Sequence, residues 1–203
     1  MFKYPSHFTY PTNEQIWFND HINNWESVLK DKIDKDNICL EIGAYYGGST
    51  VYIRERLCNT LNSHLYVMDI NKNDIFMSNI SPYNNITFLQ GESRDSFKTF
   101  NHNGIQKEFL DFVYIDGSHL CVHVLEDAVN AFYCLKDGGI MIFDDYLGGL
   151  NDFPYMQVKT GVDAFIHAFY RHLVLLYNGY QIILMKKTHF DTVEYQANYY
   201  TTN

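Results

Sequence analysis

Residues 112–147 read FVYIDGSHLCVHVLEDAVNAFYCLKDGGIMIFDDYL. An apolar run, Phe109 to Ile115, closes on Asp116. It is followed by Leu120 to Leu135, in which Val124, Leu125, Ala128, Ala131, Phe132 and Leu135 recur at helical spacing. Asp137-Gly138-Gly139 is expected to terminate that helix, and Ile140 to Phe143 forms a second apolar run closing on Asp144-Asp145. Strand, helix and strand in this order form a βαβ unit, which implies a parallel sheet with a crossover.

The same rhythm extends upstream. Ile38 to Ile42 is a short strand ended by Gly43, Ser49 to Leu61 is a helix, and Leu65 to Met68 and Ile86 to Leu89 are strands. Asn13 to Leu29 carries apolar positions suited to one or two amphipathic helices. Downstream, Val162 to Tyr170 reads as a helix. Leu173 to Tyr177 and Tyr180 to Met185 form a hairpin around Asn178-Gly179, a pair that suits a type I′ turn. One domain over 1–203 is expected, with an N-terminal helical segment (1–35) on the substrate side, a core (36–187) and a polar tail (188–203).

Composition narrows the functional classes. The 203 residues are 46% hydrophobic and carry 15 Lys+Arg against 24 Asp+Glu, a net charge of −9. This describes a globular chain with no basic face for nucleic acid. The N-terminus lacks an apolar signal core and no run approaches a membrane span, so a cytoplasmic protein without membrane contact is expected. The four cysteines form no C-x-x-C pair and read as buried free thiols.

Four motifs could carry chemistry, and each lies where a strand ends. Glu41-Ile-Gly43-Ala-Tyr-Tyr-Gly47-Gly48-Ser49-Thr50 is a glycine-rich strand-to-helix turn that permits close ligand approach, although a structural turn accounts for it when taken alone. It is not G-x-G-x-x-G, which counts against a nicotinamide oxidoreductase. Asp69 can accept both hydroxyls of a ribose, or simply cap a turn. Gly91-Glu92-Ser93 can reach an adenine edge, or cap the next helix. Asp116, Asp144 and Asp145 bring three carboxylates to neighbouring strand ends, a set that repels itself unless a proton or a hard cation joins it. His119 suits a general base at neutral pH. With His123 it has the spacing of a zinc pair, but H-E-x-x-H and nearby cysteines are missing.

The stretches CLEIGAYYGGSTVYI, VMDI, QGES and, above all, residues 112–147 resemble the class I S-adenosylmethionine-dependent methyltransferases. Within them the chain is similar to the Methyltransferase 24-type branch, typified by macrocin O-methyltransferase and the cephalosporin-hydroxylase-like proteins. WFNDHINNWESVL resembles the entry segment of small members, and the resemblance runs from about residue 15 to 187.

The resemblance implies an α/β, Rossmann-like, mostly parallel seven-stranded sheet of order 3-2-1-4-5-7-6 with the last strand antiparallel. It implies that Glu41, Gly43, Ala44, Tyr45 and Ser49 line the methionine and ribose end of the cofactor. Asp69, with Ile70 beside it, would take the ribose, Glu92 and Ser93 the adenine, and Asp116 would border both cofactor and acceptor. In metal-dependent relatives, acids at the positions of Asp116, Asp144 and Asp145 hold a divalent cation: Mg²⁺, or Ca²⁺ or Mn²⁺. His119 stands where the catechol type has a lysine base. Asp145 replaces a frequent Asn, making the site more acidic.

The expected activity is methyl transfer from S-adenosylmethionine to a hydroxyl of a small molecule (a sugar, a polyketide-linked sugar or a catechol), with Asp116 and His119 catalytic. A catalytically silent cofactor-binding subunit is the principal alternative. A nucleic-acid methyltransferase is disfavoured by charge. Monomer and homodimer are both open.

Overall fold

A computed structural model describes residues 2–102 and 108–187; the 188–203 tail lies outside them. Seven strands form one sheet of order β3-β2-β1-β4-β5-β7-β6. In chain order the elements are α1 (Ile22–Val28), β1 (Ile38–Ile42), α2 (Gly48–Arg56), β2 (His64–Asp69), α3 (Asp74–Ile80), β3 (Ile86–Gln90), α4 (Ser93–His102), β4 (Leu110–Ile115), α5 (Cys121–Cys134), β5 (Leu135–Phe143), α6 (Val158–Phe169), β6 (Leu173–Asn178) and β7 (Ile182–Lys186). A 3₁₀ turn, Trp17–Asp20, precedes α1. The expected strand order holds. β1 to β5 pair in parallel, and β7, inserted between β5 and β6, is the antiparallel strand.

The central strands are largely apolar because both faces are covered. Side chains alternate along a strand. Leu40, Ile42, Val113 and Ile115 therefore enter one core, which also holds Val124, Ala128 and Phe132 of α5 and Phe165 of α6. Cys39, Phe112 and Tyr114 enter the opposite core with Trp25, Tyr52 and Phe76. Cys39, Cys58 and Cys134 are buried free thiols, as expected, whereas Cys121 is only partly covered. No helix among the described residues is long and apolar enough to cross a membrane.

Three local expectations are corrected. α2 ends at Arg56 and does not reach Leu61. Asn59 and Thr60 turn their side chains to Asp34 and Asp36, and Leu61 is fully exposed. Asp137-Gly138-Gly139 does not follow a helix end as a loop, since β5 begins at Leu135. The triplet is absorbed where the pairing jumps from Leu110↔Leu135 to Phe112↔Ile140, with Gly138 at φ +74°. The hairpin has no type I′ turn. Asn178 pairs with Ile182, leaving Gly179-Tyr180-Gln181 as the loop. Neither Asn178 nor Gly179 is among the positive-φ residues that such a turn requires. The loop is held from outside: Gln181 accepts from the Trp25 indole at 2.8 Å, and the Tyr180 carbonyl accepts from the Tyr146 amide at 2.9 Å.

Candidate active site

The β1–α2 turn is built by contacts within the protein. Gly43 sits at φ +86°, and a Cβ there would lie 2.0 Å from the Asp116 carbonyl oxygen. The close approach of the β1 and β4 ends thus requires the glycine. Its amide donates to the Met68 carbonyl at 2.8 Å, while the Asp116 amide donates to Ile42 at 2.8 Å. Gly47, at φ +88°, is the left-handed N-cap of α2.

Glu41 lies behind this turn, fully buried, where its carboxyl group is bonded by Ser49 Oγ and, at 2.5 Å, by Thr50 Oγ1. Burial raises its pKa to about 8. Asp69 ties the turn to β2. One carboxylate oxygen accepts from the amides of Ala44 (2.7 Å) and Tyr45 (3.3 Å), the other from that of Asn71 (2.7 Å).

On the far side of Asp116 the acids gather. Tyr114 is buried on β4, on the opposite core face from Val113. Its hydroxyl contacts the Asp144 carboxylate and lies 3.1 Å from Asp116 Oδ2. Asp144, 8% exposed, also accepts from the Asp145 amide at 2.8 Å, and His21 Nε2 stands 3.7 Å away. Asp145 adopts the left-handed conformation at φ +52°. Its carboxylate meets His119 Nε2 (2.9 Å) and the Tyr180 hydroxyl (2.7 Å).

Burial, then the charges of Asp144 and Asp145, push the Asp116 carboxyl well above the usual carboxylate range. The hydrogen bond that His119 donates to Asp145 raises the His119 pKa and lowers that of Asp145.

Asp116, His119 and Asp145 each offer a ligand atom within 4.8 Å of the others. Asp144, the remaining acid of the expected trio, is bonded by Tyr114 and the Asp145 amide and lies outside this group. His123 belongs to no such group among the described residues; its ring lies 3.0 Å from Ser118 Oγ.

A cavity of about 820 Å³ runs along the carboxyl ends of the strands. Gly43, Ala44, Tyr45, Ser49, Asp69, Ile70, Glu92, Ser93, Asp116 and Asp144 all line it. Glu41, His119 and Asp145 do not. The opposite wall is N-terminal and includes Tyr10, Ile16, Trp17 and Phe18. Sequence reasoning misses Tyr114, His21, Tyr180, Asp127 and Tyr10. A signal for Tyr114 exists in its two-residue offset from Asp116. The others are brought in by distant elements, and no local signal marks them.

Residues 40–146, more than half of the chain, match the model of a family described as a methyltransferase domain. The chain belongs to this family. The matched segment runs from β1 to just past Asp145 and so carries all the strand ends described above.

Solved structures share this fold. MycE from the mycinamycin biosynthetic pathway, in complex with Mg, SAH and mycinamycin VI, is 19% identical over 87% of this chain and 51% of its own, with a TM-score of 0.63. The chain thus spans about half the length of MycE. An O-methyltransferase from Bacillus cereus in complex with SAH is 18% identical over 90% of this chain and 84% of its own, with a TM-score of 0.64. TomG from Streptomyces achromogenes, involved in tomaymycin synthesis and in complex with SAM, is 18% identical over 79% of this chain and 78% of its own, with a TM-score of 0.64. No curated protein matches the chain in sequence.

Proposed function

We propose that this methyltransferase moves the methyl group of S-adenosylmethionine to a hydroxyl of a small molecule, with a divalent cation at the acidic end of the cavity. The observation that carries the reading is the continuous cavity that passes from the glycine turn, over Asp69 and Ile70, to Asp116 and Asp144. Nucleoside-type and acid-type surfaces meet there without an intervening wall. In three fold relatives, SAH or SAM is part of the crystallised complex.

The residues present fit both absent groups. A cavity of about 820 Å³ is within the usual range for a nucleoside-sized ligand. Asp116 is pushed up by two neighbouring carboxylates, a repulsion that a hard cation on Asp116 and Asp145 would relieve. Asp144 stands behind them through Tyr114. Such a cation would supply Lewis acidity, lowering the pKa of a bound hydroxyl.

The chain's own residues do the rest. His119, whose Nε2 lies 2.9 Å from Asp145, would take the hydroxyl proton at that atom once it is free of its carboxylate partner. The N-terminal segment lines the cavity through Tyr10, Trp17 and Phe18, a wall against which the acceptor would be held beside the cofactor.

The deciding experiment measures methyl transfer from S-adenosylmethionine to vicinal-diol sugars and catechols, in Mg²⁺ and then in EDTA. Turnover that EDTA abolishes and Mg²⁺ restores is expected. Turnover indifferent to chelation removes the cation, and failure to bind S-adenosylhomocysteine at millimolar concentration removes the whole reading.

A further inference from the structure

Asp127, on the inner face of α5, is 4% exposed and yet lines the cavity. Its Oδ1 accepts from Ser93 Oγ at 2.5 Å, and no other side chain or amide among the described residues bonds this carboxylate. A buried carboxylate with one hydroxyl for company has spare acceptor capacity directed at whatever fills the space beside it. Ser93 has spent its only proton on Asp127, so toward the cavity it too offers lone pairs.

Among the polar side chains at this end, Arg94 is paired with Glu126 at 2.6 and 2.8 Å, and His123 lies against Ser118. Ile70, 64% exposed, supplies an apolar face on the same cavity.

We propose that Asp127, held by Ser93, determines the purine specificity of the cofactor site by accepting a hydrogen bond from the exocyclic 6-amino group of adenine. The proposal rests on the S-adenosylmethionine reading above. An acceptor pair at this position matches a 6-amino purine and opposes a 6-oxo purine, whose oxygen would face two sets of lone pairs. Burial raises the Asp127 pKa to about 6, which leaves the carboxylate mostly ionised, and purely accepting, at neutral pH.

The test is calorimetry on the full chain with S-adenosylhomocysteine and with S-inosylhomocysteine, its 6-oxo analogue. The wild-type protein is expected to prefer the adenosyl compound by about tenfold or more, the penalty of an unpaired buried acceptor. Asp127→Asn offers an amide N–H to the 6-oxo group and is expected to erase or reverse that preference. Ser93→Ala, which leaves Asp127 in place but unanchored, is expected to reduce it. Equal affinities in the wild type, or wild-type discrimination retained in Asp127→Asn, overturn the assignment while leaving the cofactor reading intact. The wild-type comparison needs no variant to fold. A wild-type protein that binds neither compound overturns both.

Discussion

The hydroxyl of Tyr114 is buried against the carboxylate of Asp144, with Asp116 Oδ2 3.1 Å away. One proton on one oxygen therefore holds two acids on neighbouring strands at a fixed separation. Burial and both carboxylates raise the Tyr114 pKa well above its ordinary value, so that proton stays in place.

Tyr114→Phe keeps the ring in its packing with Trp25 and Phe18 but removes this donor. Under the proposed function these acids border the cation, and groups that orient such carboxylates typically contribute about 10- to 100-fold to affinity or activity. A fall of that size in kcat is expected, with S-adenosylhomocysteine affinity and melting temperature little changed. Steady-state kinetics beside calorimetry separates the two, and an unchanged kcat would remove Tyr114 from the site.

His119 must be neutral to accept a proton, and its bond to Asp145 raises its pKa. Methyl transfer is therefore expected to rise with pH as His119 loses its proton. In Asp145→Asn the raising charge is gone, so the acid limb should move to lower pH even as the maximum rate falls. A pH–rate profile of the two proteins checks this. A limb in the same place in both would show that another group titrates.

Glu41 is fully buried with its pKa raised to about 8 from an ordinary 4.5. The folded chain therefore holds a proton that the unfolded chain releases. This contribution is complete below about pH 4.5 and is lost as pH rises through about 8. Each tenfold difference in proton affinity between the folded and unfolded chains is equivalent to about 1.4 kcal/mol, so the contribution is on the order of a few kcal/mol. Glu41→Gln, uncharged throughout, should flatten the stability profile over that interval and be the more stable protein at its alkaline end. Urea denaturation at several pH values measures it, and parallel profiles would refute the assignment.

Gly43→Ala places a methyl group 2.0 Å from the Asp116 carbonyl oxygen at a φ of +86°. The β1 and β4 ends would have to separate. A loss of about 3 kcal/mol or more is expected in denaturant titration. Asp116 would also be displaced, so activity should fall further than stability alone explains.

The alternation of mostly apolar runs with helical spacing is enough to read a parallel sheet with crossovers, because a strand covered on both faces is largely apolar, whereas the order of the strands is implied only by the family resemblance. The hairpin is legible as a hairpin, but its turn is not. The local preference of Asn178-Gly179 for a type I′ turn yields to the pairing of Asn178 with Ile182 and to two outside anchors, Trp25 on Gln181 and Tyr146 on Tyr180. Likewise α2 stops short because Asn59 and Thr60 find acids across the chain.

What the amino-acid order determined by itself was which side chains stand at strand ends: Gly43, Asp69, Asp116 and Asp144 follow their apolar runs directly, and a parallel sheet brings such ends to one rim. Their partners were decided only by the tertiary structure. Asp144 is claimed by Tyr114, Asp145 sits on a left-handed backbone and meets His119 and Tyr180, and Asp127 is brought to the cavity by a helix whose periodicity records burial but not what the buried group faces. Periodicity encodes the direction in which a side chain points. The identity of the group it meets depends on distances between elements far apart in the chain, and those are set by packing.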